Sequence, residues 1–190
     1  AVRALIEGGV DVNEAYNYGN TPLYIAAQEG HEAVVRALIE GGADVNKAMD
    51  DGWTPLYIAA QEGHEAVVRA LNEGGAVVNM ADSDSMTPMF IAAFQGHEVV
   101  VRALIEGGAD INKAMDDGWT PLYIAAQEGH EAVVRALIEE GVDVNKAGND
   151  GRTPLINAAQ EGHEAVVKAL IEGGVDVNKA MDDGRTPIYI

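Results

Sequence analysis

Five histidines, His31, His64, His97, His130 and His163, recur along the chain at a fixed spacing of 33 residues, and a periodic run of imidazoles is first a candidate for metal ligation. Zinc sites draw a second His or Cys from about three to five residues away. None of the five has such a neighbour, and the chain has no cysteine, which removes thiol nucleophiles, thiolate-bound zinc and disulfides together. Asp82-Ser83-Asp84-Ser85 imitates the opening of a calcium loop, but Thr87 stands where that loop needs glycine and Ala93 where it needs a bidentate glutamate. It reads as a variant turn. Ser83 and Ser85 are the only serines and have no histidine close in sequence, so a serine nucleophile lacks a base. Carboxylate pairs at Asp50/Asp51, Asp116/Asp117 and Asp182/Asp183 repeat in register in turns, whereas acid–base work needs one buried carboxylate with a shifted pKa. The Gly-Gly pairs follow helices instead of opening them, so no phosphate loop is present. The residue types point away from an enzyme and imply neither metal nor cofactor.

Charge narrows the partners. Twelve Lys+Arg oppose 31 Asp+Glu, a net charge of −19. Affinity for a phosphate backbone comes from basic side chains releasing counterions, so nucleic acid is excluded as a natural partner, and an anionic membrane surface is disfavoured for the same reason. The longest uncharged apolar runs fall far short of the ~20 residues a membrane helix needs, and Ala1-Val2-Arg3-Ala4-Leu5 is not a signal peptide. The expectation is a soluble, intracellular, cytoplasmic chain, and the missing initiator Met suggests a fragment.

The elements that position these side chains follow from the repeat. Thr-Pro recurs at Thr21, Thr54, Thr87, Thr120, Thr153 and Thr186, and Asn46 to Leu71 recurs unchanged as Asn112 to Leu137. Within one unit Thr54 is an N-cap and Pro55 the first helical residue, Leu56 to Glu62 is a short helix, and Gly63 supplies a left-handed stop. A second helix runs from Glu65 with Arg69 on its polar side and ends at Gly74-Gly75. The stretch from Ala43 to Gly52 carries an Asp-Asp-Gly turn signal and forms a hairpin-like loop. Leu56, Ile58, Val67, Val68 and Leu71 make stripes that one unit cannot bury alone, so the units must stack and residues 33 apart line up in ladders.

Thr-Pro-Leu-Tyr-Ile-Ala-Ala-x-x-Gly-His-x-x-Val-Val followed by Gly-Ala-Asp-Val-Asn resembles the ankyrin repeat over the whole chain. The resemblance implies an all-α ankyrin-repeat solenoid of helix-turn-helix units with a β-hairpin loop and a concave face. The array would hold a partial repeat at 1–20, full repeats at 21–53, 54–86, 87–119, 120–152 and 153–185, and a partial repeat at 186–190. It also implies that the periodic histidines hydrogen-bond at each Gly-His step. One departure is systematic: the family's Thr-Pro-Leu-His reads Tyr at Tyr24, Tyr57 and Tyr123, with Phe90 and Ile156 in the remaining units. Asn46, Asn112, Asn145 and Asn178 are similar to loop asparagines that are hydroxylated in ankyrin repeats, with hairpin hydrogen bonding as the alternative role.

Shared residues build the stack, and those that differ between units can encode a partner. In ankyrin-like proteins partners commonly meet the hairpin tips and the exposed side of the first helix. The ladder before each Thr-Pro reads Asn20, Trp53, Met86, Trp119, Arg152, Arg185, and Phe94 replaces the glutamine found at Gln28, Gln61, Gln127 and Gln160. Trp53, Met86, Phe94 and Trp119 are therefore expected to form one patch outside the inter-repeat core, bordered by Asp51, Asp84 and Asp117, with Tyr18 and Arg152 flanking it; the alternative is that each tryptophan packs on the adjacent hairpin and is copied with its repeat, since Trp53 and Trp119 lie in identical segments. This reading gives a non-catalytic protein–protein interaction module whose partner has a basic or apolar centre. An architectural spacer within a longer array is the alternative. Uncapped ends around Val2 and Leu5, and around Ile188 and Ile190, add the expectation of head-to-tail self-stacking.

Overall fold

The computed structural model describes residues 11–179; the end faces around Val2, Leu5, Ile188 and Ile190, the partial repeat 186–190 and Arg185 lie outside them. Ten α-helices occur among the described residues, in pairs: α1 (Pro22–Gln28) with α2 (Glu32–Glu40), α3 (Pro55–Gln61) with α4 (Glu65–Glu73), α5 (Pro88–Gln95) with α6 (Glu98–Glu106), α7 (Pro121–Gln127) with α8 (Glu131–Glu139), and α9 (Pro154–Gln160) with α10 (Glu164–Glu172). None is long and apolar enough to cross a membrane.

The first helix of each pair starts where the cap was expected. Thr21, Thr54, Thr120 and Thr153 are extended and buried, and their Oγ1 atoms accept the N–H of the residue three positions on at 3.1, 3.1, 3.1 and 3.3 Å. Proline at the first helical position has no N–H left to satisfy. Thr54→Ala is expected to cost about 1–2 kcal/mol in urea unfolding, since it strands the buried Tyr57 N–H, and Thr54→Ser should recover most of that loss. The second helices begin after His31, His64, His130 and His163 without a side-chain cap. A glutamate in the first turn faces the positive end of the helix dipole instead.

Contacts divide the described chain into two compact units, residues 11–88 with Ala103–Ala109 and residues 89–102 with 110–179. In the first, α1 packs on α2 and α3, and α4 on α2 and α3. Leu56, Ile58, Val67, Val68 and Leu71 are all buried there, as their spacing required. In the second, α7 packs on α8 and α9, and α10 on α8 and α9, burying Leu122, Ile124, Val133, Val134 and Leu137.

The connecting loops are tighter than a β-hairpin. Each closes on Met49 N–H to Trp53 O at 2.9 Å or Met115 N–H to Trp119 O at 2.9 Å, with one turn bond inside it, Gly52 N–H to Met49 O at 3.0 Å or Gly118 N–H to Met115 O at 2.9 Å, and the only bridge pairing among the described residues is Tyr16 with Asn20. Five residues from donor to acceptor leave no room for a ladder, so no strand forms there.

Candidate functional site

Within each compact unit, consecutive repeats are joined by side chains that reach one repeat back. His64 Nε2–H donates to Gln28 O at 2.9 Å, His130 to Phe94 O at 2.8 Å and His163 to Gln127 O at 2.9 Å, so each imidazole holds a carbonyl in the last turn of the preceding first helix. A carbonyl only accepts, which fixes the proton on Nε2. Asn46 Oδ1 accepts Val77 N–H at 2.7 Å, and Asn112 and Asn145 do the same for Asp143 and Asp176 at 3.1 and 2.7 Å. The loop asparagines, Asn178 excepted, are thus committed to hydrogen bonds between repeats. Lys47, Lys146 and Lys179 donate to Asn13, Asn112 and Asn145 carbonyls at 2.7, 3.0 and 2.6 Å. On the second helices Arg36 joins Glu32 of its own helix to Glu73 of the next at 2.8 and 2.7 Å, and Arg69, Arg102 and Arg135 repeat the arrangement.

These bonds leave the hairpin tips projecting. Asp51, Asp117 and Asp150 turn Oδ1 inward onto the N–H of Trp53, Trp119 and Arg152 at 3.1, 3.2 and 3.1 Å, which shapes the turn and leaves one oxygen of each outside. Arg152 returns to Asp150 Oδ2 at 3.4 Å. Successive tips are also tied through the main chain, Asp50 N–H to Tyr18 O at 3.3 Å and Ser83 N–H to Asp51 O at 3.1 Å in the first unit, Asn149 N–H to Asp117 O at 2.8 Å in the second. Tyr18 is exposed and left-handed, at φ 61°.

The tryptophans do not stand clear of the packing. Trp53 is half-buried and stacks on Tyr57 with ring centroids 5.4 Å apart, and Trp119 stacks on Tyr123 at 5.2 Å. A Cβ at Gly148 would lie 3.0 Å from Trp119 Cδ1, so that ring also covers the next hairpin. The spacing of four residues puts ring and tyrosine on one side of the helix start, a contact legible in the sequence. Met86 joins Trp53 at the same phenol, its Sδ accepting from the Tyr57 hydroxyl at 4.0 Å. In the second unit Phe94 is 39 % exposed, unlike the buried aromatic and aliphatic residues beside it in α5.

The tyrosines that replace the family histidine are buried. Burial, then the charges of Asp51 and Glu62, pushes the Tyr24 phenol up to about 12. Burial does most of the same for Tyr57 and Tyr123, and the Asp82 carboxylate adds to it at Tyr57. Sequence reading took Asp82 only as the start of a variant turn, and it is buried at the base of the third hairpin. Reading Met49, Asp82, Met115 and Gly148 as a ladder would have marked it as the one acid among them.

No curated protein matches the chain significantly. A family model described as ankyrin repeats in three copies matches residues 1–82, 74–148 and 144–190. The helix pairs, the Thr-Pro caps and the bonds from each histidine to the preceding repeat recur at the same period as that match, and the chain belongs to the ankyrin-repeat family.

Proposed function

We propose that the chain is a non-catalytic module that binds another protein through its hairpin tips and the exposed side of its first helices, the concave face of the array. Ankyrin repeats are generally protein–protein interaction modules and typically carry no chemistry of their own. The observation that supports this surface is Phe94: an apolar ring, 39 % exposed, where four other first helices end in glutamine. A stack that only had to stay folded gains nothing from that ring. The first unit contributes Tyr18, Asp51, Trp53, Asp84 and Met86 to the partner, and the second contributes Phe94, Asp117, Trp119 and Arg152.

Phe94→Ala is expected to weaken the partner complex by about 2 kcal/mol while leaving the unfolding midpoint unchanged. Trp53→Ala and Trp119→Ala should lower both affinity and midpoint, because each ring also stacks on a tyrosine. Calorimetric titration alongside thermal unfolding separates the two. Undiminished affinity in all three variants would favour the spacer instead.

A further inference from the structure

The 74–86 loop, which ends in the third hairpin, has lost fastenings that recur along the array. Elsewhere an aspartate closes a turn on the asparagine two places on: Asp44 Oδ1 accepts Asn46 N–H at 3.0 Å, Asp143 accepts Asn145 N–H at 3.0 Å and Asp176 accepts Asn178 N–H at 2.9 Å. Val77 stands in that place and has no carboxylate to offer. Three residues after those aspartates, Lys47, Lys146 and Lys179 strap their loops to an asparagine carbonyl one repeat back. Met80 stands there instead, so this loop sends no ammonium to Asn46 O.

Two further departures add cost. The left-handed corner of the hairpin belongs to Gly19, Gly52, Gly118 and Gly151 in the other loops, and here to Ser85 at φ 64°, where a side chain strains the backbone. The helix that leads into the loop, α4, carries Asn72 in place of isoleucine, and its Oδ1 is buried without a partner. Packing does not replace what is lost. Val77 is 52 % exposed and Met80 37 %, and Ala76 and Val78 are half-buried where Ala43 and Val45 of the preceding loop are buried. What holds the loop to its predecessor is Asn46, through Val77 N–H at 2.7 Å and Gly75 O at 3.4 Å, and Asp51 O, through Ser83 N–H at 3.1 Å. The tip meanwhile keeps its own shape, because Asp82 Oδ1 accepts the N–H groups of Asp84 at 3.0 Å and Met86 at 2.9 Å.

We infer that residues 74–86 form a strap that opens by itself, coming away from the 41–53 loop while α3 and α4 stay packed. Local opening occurs where few bonds and little apolar burial resist it, and those are the terms that Val77, Met80 and Ser85 change. The strap carries Asp84 and Met86, so each opening withdraws two residues from the hairpin tips. That consequence rests on the tips being the partner-facing surface; the opening does not.

Amide hydrogen exchange of the full chain, read residue by residue by NMR, tests it on equivalent bonds. Val77 N–H and Asp143 N–H both bond to an asparagine Oδ1, at 2.7 and 3.1 Å, and Ser83 N–H and Asn149 N–H both bond to the preceding tip, at 3.1 and 2.8 Å. Protection factors at Val77 and Ser83 should lie about tenfold or more below those at Asp143 and Asn149. Val77→Asp, Met80→Lys and Ser85→Gly together restore the residues of the preceding loop, and should raise protection at residue 77 and Ser83 to the level of Asp143 and Asn149. Equal protection in the unaltered chain overturns the inference, as does fast exchange that the triple variant leaves untouched. Exchange through α3 and α4 as fast as in the loop also overturns it, because the whole repeat would then unfold together. No partner enters this measurement, so its failure leaves the binding surface standing, and a complex indifferent to Phe94→Ala leaves the strap standing.

Discussion

Gly129→Ala is expected to destabilise the second unit by about 2–4 kcal/mol. Gly129 ends the turn between α7 and α8 at φ +78°, a region that costs an L-residue about 1–2 kcal/mol. The new Cβ would also lie 2.7 Å from the ring of His163, which cannot withdraw without losing its bond to Gln127 O. Gly162→Ala isolates the first term, since Gly162 has φ +76° and nothing within 4 Å of the Cβ position. Urea unfolding should show the larger loss at Gly129. Equal losses at the two sites would mean that the imidazole yields freely and that its cross-repeat bond contributes little.

Asn157→Ile should move stability the other way, raising it by about 1–2 kcal/mol. Asn157 stands in α9 where Ile25, Ile58, Ile91 and Ile124 occupy the first helix, and it is 2 % exposed. Its Nδ2 is buried and makes no close hydrogen bond; the Tyr123 hydroxyl is the group it donates to, loosely, which works against the rise that burial gives that phenol. The sequence leads one to expect a main-chain or water partner for this amide, and the group beside it is a phenol instead. Isoleucine removes a poorly satisfied donor and adds apolar burial, at the cost of the contact with Tyr123. Thermal unfolding of the variant at an unchanged or lower midpoint would show that the amide is satisfied in solution. Asn72 makes a useful contrast: it replaces an isoleucine of the second helix but is only part-buried, and although its Oδ1 has no partner its Nδ2 donates to Ala103 O at 3.2 Å. The gain from Asn72→Ile should therefore be smaller.

What could be read from the residues was whatever depends on neighbours in the chain. Thr54-Pro55 fixes a helix start because cap and donor are three residues apart, and Leu56, Ile58 and Leu71 declare the buried sides by their period. The direction in which a side chain reaches across a repeat is a different matter. The resemblance implies a bond in the loop or helix start at the Gly63-His64 step, but the imidazole bonds 36 residues back, and Arg69 finds Glu106 37 residues on. Period alone places such residues on adjacent levels without saying which atoms meet. Asp82 was hidden for a further reason: as one acid among many in an acidic chain it resembles its exposed neighbours, and only the coordinates show which carboxylate turns inward. The exposure of Phe94 follows from the glutamines at the equivalent positions, and the stacking of Trp53 on Tyr57 follows from a four-residue spacing that the sequence reading did not use.

The bonds between levels span fixed distances along the chain, 31 residues for the asparagines, 34 for the lysines, 36 for the histidines and 37 for the arginines. Gain or loss of one whole 33-residue segment returns every donor to an equivalent acceptor, while a change of a single residue inside a level breaks all four sets at that boundary. Length is therefore heritable in whole steps. Copying or deleting a whole level in the coding sequence therefore leaves a product that can fold, and the identity of Asn46 to Leu71 with Asn112 to Leu137 shows two levels interchangeable over that stretch. The tips carry no such constraint, and the third hairpin departs from its neighbours there.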